Sequence, residues 1–345
     1  MHFDPRNILV IDFGQMGDVV LSLPALRAVR QRFPNARITV AAGKPAAEVV
    51  KLSGYSDHVF EVDRVGLRDG NTLLSIARIF RIVQKVRKSK FDFVIDLHSL
   101  SETNLLGFLS GAPHRLYAHR PNRSIDFLSN FKPRPAAESK ESHLVDRYLD
   151  VLKPLRISSP DRRPHLKTNP MADASVETLL KREKVNTGSL LVGLFPGAGF
   201  EGRRWPLERF AELADFLIRN DRVRIIVFVG PEEMGLVQTM RGLFPPSTIF
   251  LERLTIPQLV SAQARMTLFI ANDTGPAHTA AAVGTSVMVM LGTPLPHRYS
   301  PIGDEHRIVW GPTIKDITVK QVYDIAHQLL ASNRTEKLFS ISDRR

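Results

Sequence analysis

The segment TLFIANDTGPAHTAAAVGTSVMVML, residues 267–291, decides the fold class of this chain. It begins with a short apolar run, turns at small and polar residues, continues as an alanine-rich helical segment and ends in a second apolar run. A strand, a helix and a buried strand in this order are typical of a parallel α/β sheet. The uncharged run 274–297 is interrupted by glycine and proline too often for a membrane span. We therefore predict an α/β fold.

The same alternation runs through both halves of the chain. In the first half, the predicted strands are 8–13, 37–41, 58–62 and 91–97, and the predicted helices are 23–33 and 73–88. In the second half, the predicted strands are 190–195, 223–229, 267–271 and 286–291, and the predicted helices include 206–218, 256–264 and 319–331. Ligands of such sheets bind beyond the carboxyl ends of the strands, so the loops that follow the strands are the places to examine.

A chain of 345 residues exceeds what one hydrophobic core usually supports, so two domains are expected. The segment 153–170 is rich in Pro, Ser and Arg and has no clear period, which is typical of a linker. We expect one domain over residues 1–160 and a second over residues 171–318. A last helix within residues 319–345 could cross back to the first domain.

The chain contains no cysteine, which excludes disulfides, thiolate zinc sites and cysteine nucleophiles. Its first residues, MHFDPRNILVIDF, lack the basic and apolar regions of a secretory signal, so we expect a cytoplasmic protein.

The net charge is +12, from 47 Lys and Arg against 35 Asp and Glu. The excess is concentrated in residues 1–165, which hold 26 basic and 17 acidic residues. This charge indicates an acidic partner for the first half, either an anionic ligand or an anionic membrane surface. Basic charge that only serves solubility is the alternative.

The turn NDTGPAH, residues 272–278, is the first candidate site. Small residues at a helix start expose its first N–H groups, and the helix dipole favours an anion there. Asp273 or Thr274 could instead be an ordinary helix cap, with Pro276 in the first turn. His278 lies one turn into the helix, as a core histidine or as a second donor to a phosphate. The residue pattern alone leaves the anion site and the cap equally supported.

The segment FPGAGFEGRRWP, residues 195–206, lies between a predicted strand and a predicted helix. Gly197 and Gly199 allow close approach of the backbone to a ligand, and Arg203 or Arg204 can supply a cation for a diphosphate. A flexible surface loop with solvated arginines is the alternative. Two loops of this kind in one domain favour phosphate binding.

Three further candidates are weaker. Asp18, in the segment GQMGD between the first strand and the first helix, could stabilise the helix dipole or act as a general base. Glu232 and Glu233 follow another strand and could bind ribose hydroxyls or be solvated loop acids. Leu254 precedes a helix and could border a base pocket.

Arg78, Arg81, Lys85 and Lys88 form one basic stripe on a predicted helix whose other side is apolar. Such a helix can lie against anionic lipid, although a solvated helix face is the more common explanation.

Several motifs are missing from the sequence. It has no His-Glu-x-x-His, no EF-hand loop and no Asp-x-Asp pair, so we predict chemistry without a metal ion. Few aromatic residues accompany the basic clusters, which makes nucleic-acid binding the weaker interpretation of the charge.

Four stretches resemble the ADP-heptose:lipopolysaccharide heptosyltransferases, family 9 of the glycosyltransferases. They are ILVIDFGQMGDVVLSLPALRAVRQRFPNARI, FDFVIDLHS, LFPGAGFEGRRWPLERFAELADFL and LFIANDTGPAHTAAAVGTSVMVMLGTP. These stretches span most of the chain in the order and spacing of the family. The resemblance implies a GT-B fold, in which two Rossmann-like domains face each other across a cleft.

The resemblance also implies roles for single residues. Asp18 falls on the catalytic base of the family. Arg203 falls where the family commonly has a lysine that contacts the donor phosphate, and the adjacent Arg204 leaves open which arginine has this role. Glu233 (or Glu232) corresponds to a ribose contact and Leu254 to an adenine contact. The remaining donor-binding positions are Gly199, Asp273, Thr274, Gly275, Pro276 and His278. Ala198 and Gly199 replace hydroxyl-bearing residues of the family, so only their backbone N–H groups could bind the donor.

The implied reaction is an inverting, metal-independent transfer of heptose from ADP-heptose, without a cofactor, to an acidic lipid-linked sugar of a lipopolysaccharide core. Acidic groups on the acceptor would account for the charge of residues 1–165, with Arg120 and Arg123 as candidate contacts. The implied enzyme works in the cytoplasm, at the inner membrane, with peripheral contact to anionic lipid. Two alternatives are a family 9 transferase with another nucleotide sugar or a non-lipid acceptor, and a non-catalytic protein that binds anionic lipid or nucleic acid.

Overall fold

The computed structural model describes residues 3–63, 72–157, 160–186, 188–292 and 296–342. The chain forms two compact units, Met1–His165 and Leu166–Arg345. Each unit contains one sheet in which all neighbouring strands are parallel. The predicted α/β class is therefore confirmed.

The first unit has a five-stranded sheet with the order β3-β2-β1-β4-β5. Its strands are β1 (Asn7–Asp12), β2 (Arg37–Gly43), β3 (His58–Val62), β4 (Phe93–Asp96) and β5 (His114–Tyr117). Its helices are α1 (Met16–Arg32), α2 (Lys44–Ser53), α3 (Thr72–Lys88), α4 (Ser101–Leu109) and α5 (Leu144–Val151). Ile11 in β1 is paired with Asp96 in β4, so the carboxyl ends of these two strands are neighbours.

The second unit has a six-stranded sheet with the order β11-β10-β9-β6-β7-β8. Its strands are β6 (Leu191–Phe195), β7 (Arg224–Val229), β8 (Ile249–Glu252), β9 (Leu268–Asn272), β10 (Val287–Leu291) and β11 (Arg307–Trp310). Its helices are α6 (Pro170–Arg182), α7 (Leu207–Asp221), α8 (Val237–Leu243), α9 (Ile256–Gln263), α10 (Gly275–Ala282) and α11 (Val319–Ser342).

Burial on both faces explains why the central strands are continuous apolar runs. In β1, the residues Ile8, Leu9, Val10 and Ile11 are completely buried. A parallel sheet that is covered on both sides needs apolar residues at successive positions, not at alternate ones. Each such side chain stabilises the folded state by about 1.5–3 kcal/mol relative to its exposed form.

The eight predicted strands agree with observed strands to within two residues at each end. The first helix differs more, because α1 begins at Met16 instead of residue 23. Gln15 and Asp18 form a capping box at this start, so the GQMGD segment provides the cap and first turn of the helix. Three observed strands, β5, β8 and β11, were not predicted.

Helix α11 packs onto the core of the second unit, to which it belongs. Val322, Ala326 and Leu330 of this helix are buried in the same core as residues of α7. The rings of Tyr323 and Phe216 are 5.7 Å apart. The last helix, predicted over 319–331, continues to Ser342.

Candidate functional site

Three loops of the second unit lie side by side because their strands are neighbours. Strand β6 pairs with β9 on one side and with β7 on the other. The glycine-rich segment follows β6, Glu232 and Glu233 follow β7, and the NDTGPAH turn begins at the end of β9. Parallel strands bring the loops at their carboxyl ends to one edge of the sheet. The structure thus brings together most of the predicted donor-site residues.

Asn272 connects these loops, although it was not singled out as a site residue from the sequence. This last residue of β9 is completely buried. Its Oδ1 accepts a hydrogen bond from the Trp205 N–H at 3.0 Å, and its Nδ2 donates to the Pro196 carbonyl at 2.7 Å. The Trp205 indole N–H donates to the Ile317 carbonyl at 2.8 Å. One amide side chain therefore fixes both ends of the loop that carries the two arginines.

The two arginines of this loop have different environments. Arg203 is largely exposed, and its Nη1 lies 3.2 Å from Asp273 Oδ2. Arg204 donates from Nε to the Ala198 carbonyl at 2.9 Å, and its Nη2 lies 4.0 Å from Glu232 Oε2. The charge of Arg203 thus lies beside Asp273, just before the start of α10, whereas Arg204 stabilises its own loop through a hydrogen bond. Burial raises the pKa of Asp273, and the charge of Arg203 opposes this rise.

Glu233 is buried between two glycines. A β-carbon at Gly197 would lie 2.3 Å from the carboxyl carbon of Glu233, and one at Gly230 would lie 2.6 Å from its Oε2. Burial and the neighbouring charge of Glu232 raise the pKa of Glu233, whereas the charge of Arg204 lowers it. Of the two acids that the sequence left open, Glu233 is the enclosed one and Glu232 is exposed.

Helix α10 begins at Gly275, and Thr274 is its N-cap residue. The side chain of Thr274 caps none of the described N–H groups of this helix. The Pro276 carbonyl accepts hydrogen bonds from Gln263 Nε2 at 2.8 Å and from the Thr279 hydroxyl at 3.0 Å. The bond from Gln263 attaches the first turn of α10 to α9, whereas the bond from Thr279 lies within α10. His278 is buried one turn into α10.

Two predicted donor contacts lie at the margin of this cluster. Gly199 is exposed, and a β-carbon there would meet no described atom within 4 Å. Leu254, between β8 and α9, is half-buried and packs against the core of the second unit.

The residues 197–202 (GAGFEG) match the spacing of a dinucleotide fingerprint, but α7 begins only at Leu207, so the third glycine does not open a helix.

In the first unit, Asp18 is the third residue of α1 and is half-buried. Its Oδ2 accepts a hydrogen bond from the Gln15 N–H at 3.1 Å. Asp18 thus lies in the first turn of α1, as its interpretation as a stabiliser of the helix dipole requires. A carboxylate has about four acceptor sites, so this single bond does not exhaust its capacity to take a proton.

Two buried acids at the ends of neighbouring strands in the first unit were not singled out in the sequence. Asp12 ends β1 and Asp96 ends the neighbouring β4. Burial raises the pKa of Asp12 to about 6 and that of Asp96 to about 7. Asp96 is held by hydrogen bonds from the Ser99 N–H and from Asn104 Nδ2, both at 2.7 Å. An acid at the end of each apolar strand, in ILVID and FVID, was the available signal.

The two predicted acceptor contacts differ in exposure. Arg120 is only 8% exposed, and its Nη2 lies 3.0 Å from Glu138 Oε1. The Nε of Arg147 donates to the same oxygen at 2.8 Å. Arg123 is exposed. Arg120 is therefore part of a buried ion-pair network, and Arg123 is a surface cation.

The described ranges contain neither a metal-binding cluster nor a membrane-spanning helix. No three His, Asp or Glu side chains converge there in a way that could hold a metal ion. Within the same ranges, no helix has both the length and the apolar composition of a membrane crossing.

Residues 79–326 match the family model for glycosyltransferase family 9 (heptosyltransferase). The chain belongs to this family. It is similar to lipooligosaccharide heptosyltransferase 2 of Haemophilus influenzae, with 24% identity over 322 residues and 88% of each chain covered. The predictions of the family and of a glycosyltransferase are thus confirmed.

Solved structures of family members have the same fold. A family 9 glycosyl transferase from Veillonella parvula aligns with a TM-score of 0.85 at 22% identity, covering 96% of this chain and 99% of that one. The E. coli ADP-heptose lps heptosyltransferase II aligns with a TM-score of 0.79 at 19% identity, covering 95% and 99%. The predicted GT-B type, with two parallel α/β sheets, is confirmed.

Proposed function

We propose that this family 9 enzyme transfers heptose from ADP-heptose to a sugar of a lipopolysaccharide core, with inversion and without a metal ion. The observation that carries the proposal is the meeting of Arg203, Asp273, Glu233 and the start of α10 at one edge of the second sheet. A cation, a helix start and an enclosed acid are groups that suit a diphosphate and a ribose. The names of the H. influenzae and E. coli relatives support heptose as the sugar and ADP as its carrier.

In this proposal, each part of the donor has its own contacts. The diphosphate binds at the start of α10, formed by Thr274, Gly275 and Pro276, and next to Arg203. His278 and the Gly199 N–H are further hydrogen-bond donors to the phosphates. Glu233 accepts hydrogen bonds from the ribose hydroxyls, and Leu254 borders the adenine. The hydrogen bonds of Asn272 keep these groups in position before the donor arrives.

The proposed chemistry is a single displacement. Asp18 accepts the proton of the acceptor hydroxyl while its oxygen bonds to the anomeric carbon, and the bond from that carbon to the ADP oxygen breaks. Attack from the face opposite ADP inverts the configuration. The negative charge that develops on ADP is stabilised by Arg203 and by the dipole of α10, which replace a divalent cation.

The proposed acceptor is an acidic, lipid-linked sugar that binds the first unit. The excess of 26 basic over 17 acidic residues in 1–165 supports an anionic partner. Arg123 is an exposed candidate contact. Arg120 would contribute its charge from below the surface, since its guanidinium is already paired with Glu138.

We also propose that the enzyme works at the cytoplasmic face of the inner membrane, in peripheral contact with anionic lipid. Helix α3 supports this proposal, because it contains five basic residues and no acidic residue. Ile79 lies on the apolar side of this helix, opposite the basic stripe, yet it is 50% exposed, and Phe80 is 61% exposed. Exposed apolar residues beside cations suit the interface of an anionic bilayer.

Vesicle binding tests this contact. We expect co-sedimentation with phosphatidylglycerol vesicles but not with phosphatidylcholine vesicles. Replacing both Arg81 and Lys88 by glutamate should weaken binding at least tenfold, since each basic residue contributes about 1 kcal/mol near such a surface. The control is the same charge change at Lys181 and Arg182 of α6. Equal losses in the two double variants would contradict a specific role of α3.

Replacing Arg203 by alanine is expected to weaken ADP binding by about 10- to 100-fold, because a charge-assisted hydrogen bond contributes about 1.5–3 kcal/mol. Arg203→Lys should restore part of the affinity, since it keeps the charge but loses the planar fork. Arg204→Ala should mainly lower the melting temperature, because it removes the bond to the Ala198 carbonyl. Calorimetric titration with ADP measures the affinities. Loss of binding in Arg204→Ala alone would exchange the roles of the two arginines.

A thermal-shift panel tests the donor. ADP-heptose and ADP at about 100 times their Kd should raise the melting temperature by about 5 °C. ADP-glucose should stabilise less than ADP-heptose, and UDP-sugars and GDP-sugars should have no effect. Ala198 and Gly199, which carry no hydroxyl groups, make this panel informative about donor identity. Stabilisation by a uridine donor alone would exclude ADP-heptose in favour of another nucleotide sugar.

A further inference from the structure

Gly14 separates two carboxyl groups of the first unit. Its N–H donates to Asp12 Oδ1 at 2.9 Å. A β-carbon at Gly14 would lie 2.8 Å from the Cβ of Asp18 and 3.1 Å from Asp12 Oδ1. Asp12 and Asp18 are therefore neighbours across a residue that has no side chain. The buried carboxyl of Asp12 is hydrogen-bonded to the backbone of the turn that precedes α1.

The surroundings of Asp12 leave its charge only partly compensated. Asp12 is 1% exposed, and His98 Nδ1 lies 3.9 Å from its Oδ1, beyond hydrogen-bond distance. Arg120 is close enough to lower the pKa of Asp12, but its guanidinium is paired with Glu138. The polar and titratable groups around Asp12 are Asp18 and Ser22 of α1, His98 after β4, Arg120 after β5 and Tyr148 of α5.

We propose that Asp12 is a positioning residue for Asp18, whose turn it holds in place through the Gly14 N–H. This inference rests on the proposed role of Asp18 as the base. A hydrogen bond to an ionised carboxylate is stronger than one to a neutral carboxyl, so an ionised Asp12 holds the Gly14 N–H, and with it the turn of Asp18, more firmly. The two side chains are close enough that the charge of Asp18 contributes to the raised pKa of Asp12.

The pH dependence follows from the titration of Asp12. Burial raises the pKa of this carboxyl to about 6, although the Ser22 hydroxyl and the Gly14 N–H partly oppose the rise. Below this pH, Asp12 is protonated and neutral. Above it, Asp12 is ionised and binds the Gly14 N–H more strongly, which fixes the turn that carries Asp18. Turnover should therefore rise as the pH increases through about 6.

The pH profile of Asp12→Asn at saturating donor tests the proposal. Asparagine keeps an oxygen for the Gly14 N–H but removes the charge, so the variant has the weaker, neutral form of this hydrogen bond at every pH. We expect kcat to fall about tenfold near pH 8 and to stay within about twofold of the unchanged enzyme near pH 5. The rise near pH 6 should disappear, and the Kd of ADP should not change. The matched control is Asp96→Asn, which removes another buried carboxylate and should retain the rise.

A profile of Asp12→Asn that matches the unchanged enzyme would overturn the proposal, and so would an equal loss of kcat at both pH values. If Asp12→Asn does not fold, absence of a rise near pH 6 in the unchanged enzyme would overturn it. Asp18→Asn in the same assay separates this inference from the proposed function. An active Asp18→Asn would remove the base itself, whereas an inactive Asp18→Asn with a normal Asp12→Asn would reject only the role of Asp12.

Discussion

Replacing Asp18 by asparagine is expected to lower kcat by about a thousandfold, because the variant loses the group that accepts the proton of the acceptor hydroxyl. The start of α1 should persist, since asparagine still offers an oxygen to the Gln15 N–H. Donor affinity should persist too, because the proposed donor contacts belong to the second unit. Product formation followed by mass spectrometry measures the loss, and titration with ADP measures the affinity.

The matched control for Asp18 is Glu102, an acid in the first turn of α4 in the same unit. Glu102→Gln removes the same kind of interaction with a helix dipole, which stabilises a helix by about 0.3–1 kcal/mol. Its turnover should stay within about twofold of the unchanged enzyme, since such a change acts only on stability. Near-normal turnover of Asp18→Asn would remove Asp18 from the role of base.

Replacing Asn272 by alanine is expected to have the largest effect on the donor site. The change leaves the Trp205 N–H and the Pro196 carbonyl without their side-chain partner in a buried position. Each unsatisfied group costs about 1–3 kcal/mol, so we expect a loss of about 3 kcal/mol in the free energy of unfolding. ADP affinity should fall more than about tenfold, because the loop that carries Arg203 is no longer fixed.

Leu217→Ala separates the two effects of Asn272. Leu217 is a completely buried residue of α7, and its truncation should cost about 2–5 kcal/mol of stability. At a temperature where both variants are folded, Leu217→Ala should bind ADP normally and Asn272→Ala should not. Equal ADP affinities in the two variants would show that Asn272 contributes stability alone.

Hydrophobic patterning made the central strands predictable, whereas the missed strands share a position in the sheets. Strands β5, β8 and β11 each have four residues and lie at sheet edges. An edge strand has one neighbour and needs less apolar surface, so sequences such as HRLY and RIVW carry a weak signal. The start of α1 was obscured by Gly14 and Gly17, which are typical of turns.

The candidate site was predictable where a local pattern carries the chemistry. The glycine-rich loop and the NDTGPAH turn could be found because their residues are consecutive. The role of Asn272 depends on Trp205 and Pro196, which are distant from it in the sequence and meet it only in the folded sheet. The same holds for Arg120, whose burial beside Glu138 no local pattern indicates.

The most direct test of the proposed activity is mass-detected transfer with ADP-heptose and a lipopolysaccharide core acceptor, in the presence of a chelator. We expect an acceptor that is heavier by one heptose, with ADP released in equal amount and with inverted configuration at the new linkage. We also expect the chelator to leave the rate unchanged. Hydrolysis of ADP-heptose without transfer, or transfer that requires an added divalent metal, would contradict the account.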